Sequence, residues 1–187
     1  MRASLIVSAL LATIVGASSA NAACAPAPVA GCNVASARHQ SLMSYIETGK
    51  TDPDDIFTWV WHDGTDTQLS DFGNPLTDSY AFCVYDSSTR PQPLASEIAN
   101  DPSGWKTSGD RLFYSVRADE DLRRLILRTK LNGHARILVH RDMTTVMHVL
   151  PFTTPVVVQL QISNGSCWEA DYTSVRRNDA HSFMTQQ

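Results

Sequence analysis

The chain lacks the short motifs that mark the commonest enzyme classes. It contains no H-E-x-x-H for a zinc protease, no G-x-S-x-G for a hydrolase nucleophile and no glycine-rich phosphate loop. These absences lower the expectation of enzymatic activity without excluding it. No catalytic residue is therefore predicted.

Beyond its first residues, the chain also lacks an apolar run of the about 20 residues that a membrane helix needs. Residues 5–15, which follow the positively charged Arg2, are apolar but too short to serve as a lasting membrane anchor, and small residues lead up to Ala22. This layout predicts a secretory signal peptide over residues 1–22. Lipid attachment at Cys24 is disfavoured, because Asn21 stands where a lipidation signal has a bulky aliphatic residue. We expect export to the periplasm or the medium, with no membrane span.

Positive charge is not in excess, since 15 Lys and Arg stand against 19 Asp and Glu. Without residues 1–22 the chain keeps 165 of its 187 residues and 14 of its basic residues, for a net charge of about −5. One domain over residues 23–175 is expected, and the patternless residues 176–187 are expected to fray. Nucleic acid is not an expected partner of so acidic a chain.

Cysteine is scarce, and its four positions all follow the predicted cleavage site. An even count in an oxidising compartment predicts two disulfides, for which three connectivities exist. We favour Cys24–Cys32, which closes a short Ala/Pro-rich loop, and Cys83–Cys167, which joins two predicted strands. Zinc is disfavoured because C-x7-C differs from the C-x2-4-C spacing of zinc sites.

A convincing long helix is missing as well. Strand patterns occur at residues 56–61 and 80–86, and two β-hairpins are predicted at Asn132-Gly133 and Asn164-Gly165. About seven or eight short strands predict a mainly β fold, a small antiparallel β-sandwich or barrel that carries disulfides.

The register of the first hairpin follows from burial. A three-residue loop places Leu125 and Leu127 on the same face as Ile137 and Val139, whereas a two-residue loop places them on opposite faces. Burial of one apolar face selects the three-residue loop.

Two other segments are less regular, and a third alternates clearly. Residues 35–50 suit a short helix or turn that leads into a strand, although a strand face is also present. Residues 87–108 read as a long loop with a turn of helix near Ala95 to Ala99. In the second hairpin Val156, Val158, Leu160 and Ile162 form one apolar face.

Several motifs occur together in a fixed order: W-x-W-x-x-G at 59–64, F-G-x-P at 72–75, Y-x-x-C-x-Y-D at 80–86, and V-Q-L followed by C-W-E-A within 158–170. In this order they resemble an uncharacterised β domain of exported bacterial proteins, over roughly Cys24 to Tyr172. The resemblance implies an architecture and an exported setting but no reaction. It supports a Cys83–Cys167 pairing, and the chain departs from the family pattern at residues 141–149.

Aromatic residues offer two kinds of candidate contact. Phe57, Trp59 and Trp61 share one strand face, which suits either the core or a platform for sugar rings, and the core is favoured. Trp105 stands isolated among small polar residues and is a candidate exposed ligand contact. Trp168 is expected to pack on the disulfide of Cys167.

Metal binding has weak support. Carboxylates are dense between Asp52 and Asp86, which makes calcium a minor alternative, but the D-x-D-x-D-G spacing is missing. A solvated acidic edge is the favoured interpretation. The six histidines are scattered and expected to be exposed, so neither a metal site nor a cofactor is predicted.

The outer face of the first hairpin is basic on an otherwise acidic chain. Such a stripe suits anionic polysaccharide or an acidic partner, and the alternative is a solvated strand face. Its predicted members, which with Trp105 form the candidate ligand site, are Arg124, Arg128, Lys130, Arg136 and His140.

Three hypotheses of function follow. The favoured one is a non-enzymatic binding module of the envelope or extracellular space, for a glycan or an envelope protein. The second is a structural or accessory periplasmic domain without a small ligand. The third is a hydrolase of unrecognised type that uses Glu169 and Asp171, which a strand places on one face.

Overall fold

The computed structural model describes residues 23–35, 37, 39–47, 55–64, 66–99, 101–115, 122, 124–129, 135–143 and 150–187. Within these ranges the protein has thirteen β-strands, two short 3-10 helices at Leu69–Phe72 and Pro102–Gly104, and no α-helix. The predicted mainly β class is confirmed. The predicted signal peptide, residues 1–22, lies outside the described residues.

The strands, numbered in chain order, form two sheets. The larger sheet has eight strands in the order β12 (Arg177–Asn178), β13 (Ser182–Gln186), β2 (Ser41–Ile46), β3 (Asp55–His62), β9 (Ala135–Met143), β8 (Arg124–Thr129), β7 (Arg111–Ser115) and β6 (Trp105–Ser108). The smaller sheet has five, in the order β1 (Asn33–Val34), β11 (Cys167–Tyr172), β10 (Val156–Ile162), β4 (Tyr80–Asp86) and β5 (Ala95–Ala99). All pairings are antiparallel except that of β1 with β11.

Aromatic side chains join the two sheets into a sandwich. Phe82 of the smaller sheet lies 5.1 Å from Phe57 and 5.7 Å from Trp59 of the larger sheet, measured between ring centroids. The indole of Trp59 donates to the Tyr172 hydroxyl at 3.1 Å, and that of Trp61 donates to the Glu169 carbonyl oxygen at 3.0 Å. The aromatic row of β3 is therefore core, as favoured, because its buried indole N–H groups find partners across the sandwich.

The segment 35–50 contains, in its described part, a turn that leads into the strand β2, which was one of the expected forms. β2 buries Met43 and Tyr45 while Leu42 is half-buried and Ile46 is exposed. The helical alternative is wrong, because residues 42 and 46 lie on the outward face of a strand.

The smaller sheet is covered on its outer side as well. Residues 23–32, called the strap here, cross β4, β10 and β11. The side-chain amide of Gln159 pairs with both backbone groups of Val29, at 3.0 and 2.8 Å, and Tyr85 donates to the carbonyl oxygen of Ala25 at 2.9 Å. Because the strap satisfies these polar groups, six consecutive residues of β4 are buried and glutamines are tolerated inside β10.

The predicted disulfide pairing is wrong. The structure pairs Cys24 with Cys83 and Cys32 with Cys167, with Cα–Cα distances of 5.6 and 4.7 Å. β10 lies between β4 and β11, so Cys83 and Cys167 are two strands apart, roughly 10 Å. That exceeds the about 7 Å that a disulfide spans between Cα atoms. Each disulfide instead attaches one end of the strap to the smaller sheet.

Both predicted hairpins are present. Leu125 pairs with Val139 and Leu127 with Ile137, and all four are buried, which confirms the register chosen from burial. The turn of this hairpin, at 130–134, lies outside the described residues. In the second hairpin Gln161 pairs with Cys167, and the turn contains Gly165 at φ 94°, a conformation that favours glycine.

Two segments expected to be irregular are strands. Residues 95–99 form β5 rather than a turn of helix, because they pair along the edge of β4. The tail expected to fray forms β12 and β13, and β13 pairs with β2. Phe183 is fully buried there and lies 4.9 Å from Phe152, so apolar contact fixes the tail. These strands raise the number above the predicted seven or eight.

The glycine of W-x-W-x-x-G has a packing role. A Cβ at Gly64 would lie 2.6 Å from the carbonyl oxygen of Val34 and closer still to the indole of Trp61. Only a residue without a side chain lets the chain turn over that buried ring.

None of the described residues belongs to a helix that is long and apolar enough to cross a membrane.

The disulfide arrangement predicts a distinctive peptide map. Trypsin leaves residues 23–38 as one peptide, because the first Lys or Arg in that stretch is Arg38. The non-reduced protein should therefore release one species in which this peptide is joined to two others, those that contain Cys83 and Cys167. Mass spectrometry before and after reduction makes the test. A peptide 23–38 with an internal disulfide, accompanied by a separate Cys83–Cys167 pair, would contradict the structure.

Candidate functional site

The outer face of the eight-stranded sheet carries the predicted basic stripe. Strands β8 and β9 alternate strictly, so Arg124 and Arg128 of β8 and Arg136 and His140 of β9 point outward. Arg124 stands opposite His140, and Arg128 stands opposite Arg136. The structure thus brings together four of the five predicted basic residues, and the fifth, Lys130, lies outside the described residues.

Two further basic residues extend the stripe, and sequence reasoning missed both. His62 ends β3 opposite Arg136, and Arg111 begins β7 opposite Arg128. We call His62, Arg136, Arg128 and Arg111 the basic row. It crosses four neighbouring strands at one level of the sheet. The predicted strand pattern ends at residue 61, although the period of two continues to His62, and Arg111 carries no signal in the sequence because only strand pairing brings it to the row.

An apolar row lies beside the basic row. Its members lie two residues from those of the basic row on the same strands, are half-buried and pair with one another across the strands. They are Val60, Leu138, Ile126 and Phe113. Arg124 and His140 lie beyond this row, and the Arg124 guanidinium lies 6.0 Å from the centroid of the Phe113 ring. The face therefore combines a strip of apolar side chains with basic side chains on both sides.

Charge on this face is only partly neutralised. Arg128 donates from Nε to Asp110 at 2.7 Å, and Nδ1 of His62 lies 2.9 Å from a carboxylate oxygen of Asp63. No carboxylate among the described residues pairs with Arg111, Arg124 or Arg136. These exposed guanidinium groups keep their donors available to an anion.

The Arg128–Asp110 pair is exposed at both ends. The hydrogen bond from Arg128 holds the pKa of Asp110 below its usual range. Asp110 is therefore ionised at neutral pH and competes with a carboxylate ligand for Arg128. Exposed pairs of this kind contribute little, so the competition is mild.

Two open depressions flank Arg128 on this face. One is lined by Val60, His62, Asp63 and Arg136, and the other by Lys106, Ser108, Arg111 and Phe113. The first contains Val60 of the apolar row beside two members of the basic row, His62 and Arg136, and the second contains Phe113 beside Arg111. A third depression lies elsewhere, between the strap prolines, the end of β4 and the start of β10.

Trp105 does not contribute to this surface. It is only 8% exposed and packs between Tyr80 and Tyr114, with ring centroids 4.5 and 5.1 Å away. The prediction of an exposed contact is wrong, because Trp105 begins a strand whose first side chain faces the core. Trp168 likewise turns inward against Phe72, while Cys167, its neighbour along β11, joins the strap on the outer side.

The carboxylates considered for calcium are dispersed. Among the described ones, Asp55 is buried and accepts from the Tyr45 hydroxyl at 3.3 Å, Asp63 lies beside His62, and Asp71 accepts from the backbone of Gln68. Within the described part of the chain no three His, Cys, Asp or Glu side chains are placed to hold a metal ion. Asp52 and Asp54 lie outside it.

Asp86 is held by a dense hydrogen-bond network. Its side chain is buried and accepts from Arg90 at 2.6 Å, Gln92 at 2.9 Å and the backbone of Thr153 at 2.9 Å. Burial alone would raise the pKa of this carboxyl, but hydrogen bonds that include those from Ser88, Thr153 and Gln92 outweigh it and lower the pKa. The network ties β4 to the segment before β10.

The positions of Glu169 and Asp171 give the hydrolase hypothesis no geometric support. Glu169 and Asp171 do share the outer side of β11, but Glu169 is half-buried and accepts from the amide of Gln159. Among the described residues no other side chain hydrogen-bonds Glu169. The amide is a structural partner rather than a proton donor for catalysis.

Comparison with protein-family models, with curated proteins and with solved structures finds no match to this chain. The resemblance drawn from its motifs stays a prediction.

The Asp86 network predicts a pH-dependent stability. Because the folded-state pKa is lowered, the stabilisation is present above the unfolded pKa of about 4 and is lost as the pH falls below it. Asp86→Asn should lower the free energy of unfolding at pH 7 by about 1 to 3 kcal/mol and by less at pH 3. Urea unfolding at both values measures this, with the exposed Asp171→Asn as control. An equal loss at both pH values would contradict the assignment.

Proposed function

We propose that the protein is an exported, non-enzymatic binding module and that its ligand is an anionic glycan. The binding surface is the outer face of the eight-stranded sheet. Export is supported by the signal-peptide pattern of residues 1–22 and agrees with two disulfides, which persist in oxidising compartments.

One observation carries the proposal: four basic residues stand in one row across four neighbouring strands. The chain as a whole has a net charge of −4, so this concentration of arginine is not a consequence of composition. A local row of this kind attracts polyanions even when the net charge of the protein is negative. Arginine suits carboxylates and sulfates because its planar group donates two parallel hydrogen bonds.

The chemistry of the row favours a ligand that binds along a line. Arg136 and Arg111 have no carboxylate partner among the described residues, while Arg128 has an exposed one, Asp110, and His62 a half-buried one, Asp63. A ligand displaces an exposed partner such as Asp110 at small cost. A linear anionic glycan meets several of these side chains at once. Its affinity then comes from several weak contacts on one chain.

An envelope protein is the second candidate ligand. Ile46, Ile56 and Met184 are exposed on the same face, at 41%, 37% and 39%. They extend the apolar area beyond what a polar glycan needs, and a protein with an acidic rim would fit it. A structural role without any ligand is the remaining alternative.

Charge reversal in the basic row tests the proposal. Arg128→Glu with Arg136→Glu should weaken binding of polygalacturonate or dextran sulfate by at least about tenfold, because two charge-assisted contacts become repulsive. Binding by the unaltered protein should also weaken between low and moderate salt. Isothermal titration calorimetry measures both effects, with neutral dextran as the control ligand.

The control variant is Arg176→Glu with Arg177→Glu, which makes the same change of charge at the far edge of the larger sheet, where β12 begins. It should bind nearly as well as the unaltered protein. Equal losses in both variants would indicate attraction to overall charge alone. Undiminished binding by the basic-row variant would place the site elsewhere, and an unaltered protein that binds no anionic glycan would favour the protein partner or the structural role.

A further inference from the structure

We infer that the basic row accepts a linear polyuronate, an acidic polysaccharide with one carboxylate on each sugar, laid across the strands with one sugar on each of four strands. The inference rests on the proposed function and specifies the ligand of the same face. Its basis is a repeat in the structure rather than charge alone.

Each of four neighbouring strands presents the same pair of side chains, one apolar and one basic, two residues apart. Strand pairing sets these pairs side by side, because 62, 136, 128 and 111 are consecutive partners, as are 60, 138, 126 and 113. The four pairs are Val60 with His62, Leu138 with Arg136, Ile126 with Arg128, and Phe113 with Arg111.

The spacing of the repeat matches a sugar chain. Neighbouring strands lie about 4.8 Å apart, so the basic row spans about 14 Å from β3 to β7. One sugar of a 1,4-linked chain is comparable in length to one strand spacing, and successive sugars are turned about the chain axis. Along each strand, residues i and i+2 are separated by about 6.8 Å. With the rings over the apolar row, the carboxylates therefore reach the basic row on one side and Arg124 and His140 on the other.

Because each strand presents one apolar and one basic side chain, the surface favours some anionic glycans over others. A uronate has a C–H face on its ring and one carboxylate at its edge, and it matches one apolar and one basic side chain. A glycan with several sulfates per sugar would set charges over the apolar row, where Val60, Leu138 and Ile126 offer no donor. The arrangement therefore favours one carboxylate per sugar over denser charge.

Asp110 occupies the place of one ligand carboxylate. It accepts from Arg128 at 2.7 Å, and it stays ionised because Arg128 lowers its pKa. A bound uronate must displace it. Asp110→Asn should accordingly raise the affinity for a tetrasaccharide about two- to fivefold, the range that corresponds to an exposed ion pair.

The experiment is a calorimetric titration with galacturonate oligosaccharides of two to six sugars. Affinity should rise steeply up to four sugars and then level off, and methyl esterification of the carboxylates should abolish binding. Asp110→Asn should tighten the tetrasaccharide complex, whereas Asp171→Asn, the same change of charge on the outer side of the smaller sheet, should leave it unchanged.

Other outcomes overturn the inference. One sugar per strand would be contradicted if the affinity levelled off at two sugars or continued to rise through six. It would also be contradicted if dextran sulfate, or vesicles containing anionic lipid, bound more tightly at equal charge. If polyanions bind and the Arg128/Arg136 variant abolishes that binding, the proposed function stands although the polyuronate inference fails. If no anionic glycan binds, both fail.

Discussion

The alternation of side chains along the larger sheet is the constraint on which the rest of the structure depends. Every second residue of β3 is driven inward by burial, and Trp59 and Trp61 have no exposed surface. A slip of one residue in β8 or β9 would turn arginines into the core and leucines outward, at prohibitive cost. The same burial that holds the sandwich together therefore fixes which side chains reach solvent, and it aligns the arginines on neighbouring strands.

The outer faces of the two sheets differ in how far they are covered. The outer face of the smaller sheet is covered by the strap, which two disulfides hold at its ends and glutamine amides hold between them. The corresponding face of the larger sheet, as far as the structure describes it, carries no such cover over β3, β9, β8 and β7. The covered face has the carboxylates Glu169 and Asp171, and the uncovered face has the arginines. This separation of charge gives an acidic protein one basic surface.

The sequence predicts what local pattern and burial determine. The alternation in β3, the fold class and the hairpin register at Leu125 and Leu127 follow from the residues, because one face of each strand must be apolar. The disulfide partners do not follow, since they depend on β10 lying between β4 and β11, an order set by the whole fold. The burial of Trp105 could not be predicted for a related reason: its neighbours in sequence are small and polar, but its neighbours in space are Tyr80 and Tyr114. Likewise, Arg111 joins the basic row only through strand pairing.

The most direct test of the account is an NMR titration of the isotope-labelled protein with an oligogalacturonate, followed through backbone amides and arginine Nε–H signals. The account predicts that the largest shift changes fall on β3, β9, β8 and β7 and include the side-chain signals of Arg111, Arg128 and Arg136. Changes concentrated at the strap prolines and Gln92, where the third depression lies, or along β12 and β13, would contradict it.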